Sequence, residues 1–440
     1  MNIKINDRDK KRVVITGIGP ITSTGIGKEE FWHNSLEGKS GTEKIPFEWF
    51  TKNPDRFRSH VCATVKNFDP TKYGLKNNSK RLDRVSLFAL ASTYLALQDA
   101  GIDFTASKGK AEIKNLDLDQ GCVLVSTGIG GFNTVTEEHE HYTLEQKVNP
   151  FAVSKSMPNA PSDNISIIYG IKGESWPTPT ACAAGTMALG NIYRLIALGE
   201  YKWGIAGGIE SCFGHDGYGF YGFDTINMNG NRTLSTAFNN CPEKASRSFD
   251  KNRDGFVLAE GGASLFIEEL EHALARNAHI YAEIIAYAAN SDARNIMALD
   301  PEANQLIKLI NNLLKKSRLN PEDIQYINAH ATSTPPNDRV ETMAIKKVLG
   351  EHAYRIIVGG TKSRTGHSIG GSGATEIAET ALAIYYRIIP PTINFEEKDP
   401  DCDLNYSHNR KTEIPVNLAM KLTSGFGGHN AGLILSKYKE

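Results

Sequence analysis

In the stretch TPTACAAGTMALG, residues 178–190, a single cysteine is surrounded by small residues. The pattern predicts that Cys182 enters a buried helix after an extended segment containing proline. Small neighbours allow a substrate and other backbones to approach the thiol closely. A thiol at a helix N-terminus lies in the positive field of the helix dipole, which favours the thiolate and hence nucleophilicity. The alternative is a structural cysteine that packs as a small hydrophobe.

Two later segments supply candidate bases. His330 lies in NAHATSTP, residues 328–335, and His367 ends TKSRTGH, residues 361–367. Each follows an apolar run that predicts a strand, and the carboxyl ends of strands are where sites of α/β proteins form. Neutral imidazoles directed at one point can hold a thioester carbonyl and stabilise an enolate. One cysteine with two histidines therefore indicates acyl transfer through a thioester, although lone histidines at strand ends are more often structural.

Strands and helices alternate along the chain, which predicts the α/β class. Residues 12–18 form a continuous apolar run of the kind that is buried on both faces of a sheet. The pattern restarts after residue 268, where residues 302–317 predict an amphipathic helix. We therefore expect two similar halves, residues 12–268 with the cysteine and residues 269–440 with both histidines, whose functional groups meet at the junction.

The composition narrows the classes of protein and partner. The chain has 440 residues, 40% of them hydrophobic, and a formal net charge of -1, so overall charge gives no reason to expect nucleic-acid or membrane binding. The six cysteines are scattered without a C-x-x-C pair, so we predict neither a metal site nor a disulfide scaffold. The polar N-terminal residues lack the apolar core of a signal peptide. A cytoplasmic location is therefore expected.

The chain resembles the elongating β-ketoacyl-acyl-carrier-protein synthases of the thiolase superfamily over nearly its whole length. Besides the two histidine segments, the motifs that carry the resemblance are VVITGIG at 13–19, TACAAG at 180–185, SRSFD at 246–250 and GFGGHN at 425–430. A degradative thiolase normally has a second catalytic cysteine in its C-terminal motif, and none occurs near residues 425–430. The resemblance implies a five-layered αβαβα thiolase fold and a dimer, either of identical chains or with a second ketosynthase-like subunit.

The same resemblance implies a reaction. Cys182 would take an acyl chain from an acyl carrier protein, and His330 and His367 would assist decarboxylation of a malonyl-carrier thioester. The resulting carbanion would attack the acyl-cysteine and give a 3-ketoacyl-carrier protein. The only cofactor implied is the phosphopantetheine that the carrier protein bears, and the carrier protein is the implied partner.

The resemblance assigns further roles residue by residue. Lys362 joins the catalytic set, Glu376 and Asp338 support it, and backbone N–H groups of Cys182 and Ser424 form the oxyanion hole. The remaining roles are the pantetheine contacts Thr332 and Thr334, the acyl-pocket residues Ile129, Ser424 and Phe426, and the carrier-protein patch Lys80 and Arg81. From local sequence alone, Lys362 and Glu376 read as an exposed lysine and a first-turn carboxylate, and the threonines as turn residues.

Two departures from the family pattern bear on function. Ser424 stands where fatty-acid members usually have a phenylalanine gate, and Ala331 replaces the usual glycine after the first histidine. The loss of bulk at Ser424 favours a type II polyketide or polyene role over housekeeping fatty-acid synthesis. The alternatives are a silent partner like a chain-length factor, which typically lacks the cysteine, and a coenzyme-A thiolase.

Overall fold

The computed structural model describes residues 10–46, 54–75, 80–228 and 231–439. Its strands are β1 (Val13–Thr22), β2 (Gly25–Ile26), β3 (Glu43–Lys44), β4 (Val61–Ala63), β5 (Phe104–Ser107), β6 (Lys110–Ile113), β7 (Gly121–Ser126), β8 (Trp203–Glu210), β9 (Asn227–Met228), β10 (Asn231–Arg232), β11 (Leu258–Ala259), β12 (Gly261–Glu269), β13 (Ala282–Ser291), β14 (Tyr326–Asn328), β15 (Ile357–Gly359), β16 (Ile388–Ile389), β17 (Thr412–Glu413), β18 (Leu418–Gly425) and β19 (His429–Ser436).

The helices are α1 (Lys28–Leu36), α2 (Arg84–Asp99), α3 (Phe132–Thr143), α4 (Ala152–Ser156), α5 (Ala160–Tyr169), α6 (Ala184–Ala197), α7 (Tyr218–Thr225), α8 (Leu270–Ala275), α9 (Asn304–Ser317), α10 (Pro335–Leu349), α11 (Lys362–Thr365) and α12 (Ser372–Tyr386). In the part of the chain that the structure describes, none of these helices has the length and apolar character needed to cross a membrane.

Ten strands form one sheet, in the order β15-β14-β18-β19-β13-β1-β12-β8-β7 with β2 paired to β1. The antiparallel pairing of β1 with β13 is the seam between two half-sheets. Outward from this seam, the first half-sheet runs β1, β12, β8, β7 and the second runs β13, β19, β18, β14. The pairings within each series are antiparallel, antiparallel and then parallel. Beside β14 lies β15, and a parallel bridge at Ser175 takes the equivalent place beside β7. The two halves therefore repeat one topology.

Helices cover the half-sheets in layers. α2 and α5 pack on the outer face of the first half-sheet, and α9 packs on the second, with α10 against it. α6 and α12 contact strands of both half-sheets and lie between them. Every residue from Ser372 to Ile384 of α12 is buried, as expected for a central helix, whereas α9 buries one apolar stripe. The result is the five-layered αβαβα fold that the resemblance implied.

The two elements that the sequence delimits lie within a few residues of their observed bounds. Residues 302–317 form α9, which begins at Asn304, and the run from residue 12 forms β1, which continues to Thr22. β1 contains Gly17 and Gly19, where α2 passes so closely that an added Cβ would lie 2.2 Å from the Ala96 carbonyl oxygen and 2.0 Å from that of Ser92. The predicted boundary between the halves falls at the end of β12.

Candidate active site

Cys182 and His367, the expected nucleophile and one expected base, occupy equivalent places in the two halves. Cys182 follows the Ser175 bridge and lies in the 3₁₀ turn Ala181–Ala183 just before the central helix α6. His367 follows β15 and comes just before the central helix α12. Because both helices start in the layer between the half-sheets, the topology brings the two side chains together. Nε2 of His367 lies 3.2 Å from Sγ of Cys182, and both residues are buried.

Glycine makes this close approach feasible. An added Cβ on Gly208 of β8 would lie 2.2 Å from the Gly370 carbonyl oxygen and 2.7 Å from Cα of Gly185. An added Cβ on Gly425 would lie 3.1 Å from the amide nitrogen of Cys182. Backbones from four segments therefore meet around the thiol with no room for side chains, which explains the glycines of these motifs.

The Cys182–His367 pair rests as a thiol beside a neutral imidazole. Burial raises the pKa of the Cys182 thiol to about 11, although the Lys362 ammonium and the backbone N–H groups of Phe426 and Cys182 oppose it. Burial, and then the charges of Lys362 and Lys421, hold the pKa of His367 well below its usual range. Loss of hydration thus outweighs the helix field that the sequence suggested would favour a thiolate. The neutral His367 is placed to take the thiol proton as sulfur attacks a substrate.

His330, at the end of β14, is oriented by a lysine. Nζ of Lys362 lies 3.2 Å from Nδ1 of His330 and donates to the His330 carbonyl oxygen at 2.6 Å. An ammonium group can only donate, so Nδ1 is the acceptor and the ring proton lies on Nε2. Burial first, and then the charge of Lys362, keeps the pKa of His330 well below its usual range. His330 is therefore a neutral N–H donor next to the Cys182–His367 pair.

A buried carboxylate that the sequence analysis missed holds the turn after His330. Oε1 and Oε2 of Glu341 accept the backbone N–H groups of His330 and Ala331 at 2.6 and 2.9 Å. Ala331 has φ of +48°, a left-handed conformation that favours the glycine usual at this position. Burial raises the pKa of Glu341 to about 7. A clue lies in the spacing, because Glu341 is three residues after Asp338 on the same face of α10.

Asp338 links the His330 loop to the segment that contains the SRSFD motif. It accepts the backbone N–H of Phe249 at 2.8 Å and that of Ser333 at 3.3 Å. Its Oδ2 also lies 3.5 Å from Nε of the buried Arg253. The residues that continue the SRSFD motif, from Asp250 to Gly255, thus supply an arginine for a buried ion pair.

Glu376 is shared by two lysines. Its Oε1 binds the Lys362 ammonium, and its Oε2 lies 2.7 Å from Nζ of Lys421. All three side chains are at most 1% exposed. Burial lowers the pKa of Lys421 to about 8. Glu376 was expected to support the site, whereas Lys421 reads from the sequence as an ordinary polar position in strand β18.

Glu210 is a second missed carboxyl group, and it lies below the two turns that flank Cys182. It accepts the Thr127 hydroxyl at 2.6 Å, the Gly128 N–H at 2.7 Å and the Gly370 N–H at 3.1 Å. Burial raises its pKa to about 7. Glu210 thereby ties the turn after β7, which carries Ile129, to the turn before α12.

A cavity of about 490 Å³ connects this cluster to the surface. Its lining residues are Cys182, Thr233, Phe256, Arg294, Asn295, Met297, Ala298, Leu299, Pro301, His330, Thr332, Thr334, Pro336, Asn337, Val340, His367, Ile369, Ser424, Gly425 and Phe426. The hydroxyl groups of Thr332 and Thr334 lie 2.9 Å apart in its wall. The mixture of apolar walls and a few polar groups suits a long, amide-containing substrate arm.

The other expected site residues are placed as follows. Ser424 and Phe426 line the cavity, and Oγ of Ser424 donates to Oδ1 of Asn430 at 2.7 Å. Ile129 is outside the cavity wall and packs against the apolar cluster that includes Cys182. The backbone N–H groups of Phe426 and Cys182 act to lower the pKa of the Cys182 thiol, against the larger effect of burial. The role of the Ser424 N–H in the oxyanion hole stays a prediction.

Lys80 and Arg81 are exposed next to the start of α2, outside the cavity lining. The Arg81 guanidinium lies 5.5 Å from the centre of the exposed Phe151 ring. The two cations are thus accessible to an acidic partner, and their role as a carrier-protein patch stays a prediction.

The ligand atoms of Cys182, His330 and His367 lie within 4.8 Å of one another, close enough to surround a metal ion. Lys362, however, places an ammonium group 3.2 Å from Nδ1 of His330, and Lys421 adds another behind it. Two buried positive charges oppose the binding of a further cation. We therefore interpret the three residues as a candidate nucleophile, a base and an N–H donor.

Comparisons with known proteins agree with this interpretation. Residues 10–273 match the family described as Beta-ketoacyl synthase, N-terminal domain, and residues 281–396 match Beta-ketoacyl synthase, C-terminal domain. The chain is 41% identical to a 3-oxoacyl-[acyl-carrier-protein] synthase 2 of Synechocystis sp., over 98% of this chain and 99% of that protein. A protein of the same name from Coxiella burnetii is 38% identical, again over 98% and 99% of the two chains.

Solved ketosynthase structures have the same fold. One is a type II polyketide synthase acyl-carrier protein in complex with its ketosynthase bound to the hexaketide, with 30% identity and a TM-score of 0.85 over 98% of this chain and 100% of that one. Another is the ishigamide ketosynthase/chain length factor, with 29% identity and a TM-score of 0.85 over 98% and 100%. A third is a beta-ketoacyl synthase from Burkholderia phymatum, with 29% identity and a TM-score of 0.86 over the same shares.

Proposed function

The chain belongs to the β-ketoacyl synthase family, and we propose that it catalyses the decarboxylative Claisen condensation of a Cys182-bound acyl chain with a malonyl-carrier protein. The observation that carries this proposal is the distance of 3.2 Å between Nε2 of His367 and Sγ of Cys182, with neutral His330 beside them at the cavity. A thiol with a base in contact accepts acyl groups, and a second neutral N–H donor suits an enolate.

In the first half-reaction, the thiol of Cys182 attacks the carbonyl carbon of an acyl-carrier thioester. The thiol proton passes to Nε2 of His367 as the new C–S bond forms. The carrier's pantetheine sulfur then leaves and takes that proton, which restores neutral His367. One thioester is formed and one is broken, so the step needs no other reactant. The backbone N–H groups of Cys182 and Ser424 are the proposed donors to the tetrahedral oxyanion.

In the second half-reaction, a malonyl-carrier thioester loses carbon dioxide, and the electrons of the broken C–C bond form an enolate. The Nε2–H of His330 is positioned to donate to the thioester oxygen as negative charge builds on it. Once Cys182 is acylated, Nε2 of His367 no longer faces a thiol proton, so His367 can carry its proton on Nε2, accept a hydrogen bond from the Ser372 hydroxyl at Nδ1, and donate to the same oxygen. The enolate carbon attacks the acyl-cysteine carbonyl, and the Cys182 thiolate leaves. One proton from solvent then restores the thiol, and the product is a 3-ketoacyl-carrier thioester.

The acyl groups reach this site on a carrier protein's phosphopantetheine arm, the only cofactor the reaction requires. The support on this chain is the cavity that leads to Cys182, with the hydroxyls of Thr332 and Thr334 available to hydrogen-bond an amide-rich arm. The exposed cations Lys80 and Arg81 are offered as a patch for the acidic carrier. A solved relative at 30% identity is a ketosynthase in complex with its acyl-carrier protein.

We place the enzyme in a type II polyketide or polyene pathway, with fatty-acid elongation as the competing role. Ser424 supports this choice, since a small hydrogen-bonded side chain replaces the usual aromatic gate at the cavity wall. The curated relatives at 38–41% identity are 3-oxoacyl synthases, which favours the competing role. A silent partner role is disfavoured because Cys182, His330 and His367 are all present and assembled.

A dimer is also proposed, of two such chains or with a chain-length-factor-like subunit, as in the ishigamide complex at 29% identity. Exposed apolar side chains on α3, α4 and α5, among them Val135, Val153 and Ile167, provide a surface for it. A cytoplasmic location fits the requirement that Cys182 stay reduced.

Intact-mass spectrometry tests the reaction. The purified protein and a Cys182→Ala variant are incubated with acyl-carrier donors of several chain lengths, with and without malonyl-carrier protein. We expect one acyl mass on the wild type, none on the variant, and a 3-ketoacyl-carrier product only when both donors are present. Absence of acylation from every donor, with and without a candidate partner subunit, would contradict the proposal.

The same experiment separates the pathways. Preference for unsaturated or polyketide-like donors over saturated chains supports the polyketide role. Equal or greater transfer from saturated chains supports fatty-acid elongation.

A further inference from the structure

Two ammonium groups share one carboxylate directly behind the proposed bases. Oε1 of Glu376 binds Lys362, and Oε2 lies 2.7 Å from Nζ of Lys421. Lys362 contacts His330, and this contact explains how Lys362 contributes to the site. Lys421 contacts neither histidine through a hydrogen bond, and the reaction described above gives it no task.

Lys421 is nevertheless fixed to the His330 strand. β18 pairs in parallel with β14, with Lys421 opposite Asn328. Its ammonium donates to the carbonyl oxygen of Ala329 at 3.4 Å and also binds the carbonyl oxygen of Leu422. Its side chain is 0% exposed, so no water shares these contacts from the surface. A fully buried lysine is rare, and here it is held entirely by oxygen atoms.

The charges around it do not cancel. Lys362 and Lys421 carry two positive charges, and Glu376 between them carries one negative charge. The other ionisable groups that face Lys421 are Glu341 on α10 and the two neutral histidines. Burial raises the pKa of Glu341 to about 7, so below that pH it adds no charge. Below that pH the region therefore has an excess positive charge, which is costly in the empty site and favourable when the negative charge of the malonyl carboxylate moves onto the thioester oxygen.

We propose that Lys421 is a positioning residue for the condensation: its ammonium fixes Glu376, and through it Lys362 and the tautomer of His330, and supplies positive charge that stabilises the enolate formed on decarboxylation. This inference rests on the proposed function and deepens it. Acylation of Cys182 creates a tetrahedral anion at the proposed oxyanion hole, formed by the Cys182 and Ser424 N–H groups, so it depends on Lys421 less.

A pH dependence follows from the same contacts. Burial lowers the pKa of Lys421 to about 8, with Glu376 opposing the shift and Lys362 adding to it. As the pH rises through that value, Lys421 loses its charge, while Lys362 remains bound to Glu376 and His330. Decarboxylation should therefore have an alkaline limb near pH 8, which the acylation step lacks.

The test is to measure two half-reactions separately for the wild type and for Lys421→Met, whose side chain has a similar length and no charge. Carbon dioxide release from malonyl-carrier protein reports decarboxylation, and intact mass reports acylation of Cys182. We expect kcat for decarboxylation to fall about 10- to 100-fold, with acylation changed less than about 3-fold and the alkaline limb lost. Equal loss in both half-reactions, or no loss in either, overturns the proposal.

A second variant covers the case in which Lys421→Met does not fold. Lys421→Ala leaves a space lined by Oε2 of Glu376 and two carbonyl oxygens, which suits a small ammonium ion. Added methylammonium or ethylammonium should restore decarboxylation to Lys421→Ala in a concentration-dependent way and have no effect on the wild type. Failure of amine rescue in folded Lys421→Ala also counts against the proposal.

Lys28→Met is the matched control, since Lys28 is a partly buried lysine in an ion pair with Asp99 at 2.6 Å, away from the cavity lining. It should lose stability without any change in the decarboxylation pH profile. If the wild type itself releases no carbon dioxide from malonyl-carrier protein, the proposed function fails with this inference. If the wild type is active and Lys421→Met equals it, only the role of Lys421 fails.

Discussion

Nε2 of His367 lies 3.2 Å from Sγ of Cys182, although the two residues are 185 positions apart in the chain. Each comes from one half of the molecule and precedes one of the two central helices. The second nitrogen of the His367 ring, Nδ1, is 2.9 Å from the Ser372 hydroxyl oxygen. The His367 ring is thus held at both nitrogens, with Nε2 directed at the Cys182 thiol.

The resting protonation of Cys182 can be tested by alkylation. Burial raises the thiol pKa to about 11, and only the thiolate reacts with iodoacetamide. We expect the alkylation rate of Cys182 to increase from pH 7 without levelling off below about pH 11. The measurement uses peptide mass mapping in a Cys241→Ser background, because Cys241 is the exposed cysteine. A plateau near pH 8 would contradict a buried resting thiol.

Removing the base should slow acylation. His367→Ala leaves the thiol without the group that takes its proton, and positioned proton transfer contributes about 10²- to 10⁴-fold to rates. We expect single-turnover acylation of Cys182 to slow by a factor in that range, with the secondary structure unchanged by circular dichroism. His272→Ala, at a surface helix, is the control and should acylate like the wild type.

The two buried histidines predict a loss of stability in acid. Their folded-state pKa values lie well below the usual range because burial disfavours the charged ring. Above the unfolded-state pKa of about 6.5, both states hold the ring neutral and the folded state keeps its full stability. As the pH falls below that value, the unfolded chain binds protons that the folded protein does not, so the free energy of unfolding decreases. Urea denaturation between pH 7.5 and 5 should show this decrease, and a His330→Asn/His367→Asn variant should show a shallower one. Parallel curves would refute the assignment.

Glu341→Gln should loosen the turn that follows His330. The glutamine keeps one side-chain oxygen as an acceptor, but its NH2 group would face one of the two backbone N–H groups. A buried donor is then left unpaired, which lowers the free energy of unfolding by about 1–3 kcal/mol. Because Ala331 is held in a left-handed conformation there, condensation should also slow. Glu351→Gln, at an exposed position, is the control for both measurements. Unchanged stability in Glu341→Gln would mean that its two hydrogen bonds contribute nothing net.

Ser424 can be tested as a determinant of acyl-chain range. Ser424→Phe introduces a ring into the cavity wall beside Gly425, which packs on Cys182. We expect acylation by bulky or rigid donors to fall more than acylation by short ones, measured by competition between donors in intact-mass spectra. Ser424→Ala removes only the hydrogen bond to Asn430 and should keep the wild-type donor order. An unchanged order in Ser424→Phe would exclude this position from chain selection.

A packing prediction concerns Gly208. A Cβ there would lie 2.2 Å from the Gly370 carbonyl oxygen, so Gly208→Ala must displace the turn before α12. Overpacking of this kind costs about 1–3 kcal/mol, and the displacement should also slow acylation by moving His367. Gly222→Ala is the matched control, because nothing lies within 4 Å of its Cβ position in α7. Thermal unfolding should separate the two variants, and equal melting temperatures would contradict the packing argument.

The sequence was most informative where a pattern is local. The apolar stripe of α9 and the buried run of β1 follow from periodicity, and they were placed within a few residues. Cys182, His330 and His367 could be found because each stands in a segment of small residues after an apolar strand.

The remaining site residues were hidden because burial is a property of the whole fold. Lys421 lies in a strand where alternate positions are often polar, and Glu341 lies in a charged helix. Nothing nearby in sequence shows that Glu376 receives a second ammonium group, since β18 and α12 meet only through tertiary packing. The pKa of Cys182 was misjudged for the same reason: the helix field is local, whereas the loss of water around the thiol is not.

The strand order has a consequence for protein synthesis. In the second half-sheet, β19 lies between β13 and β18, although it follows both of them in the chain. The half-sheet that positions both histidines is therefore incomplete until residues 429–436 have left the ribosome. A nascent chain carries Cys182 before it carries His367, so the reactive centre cannot assemble until the second half has been made.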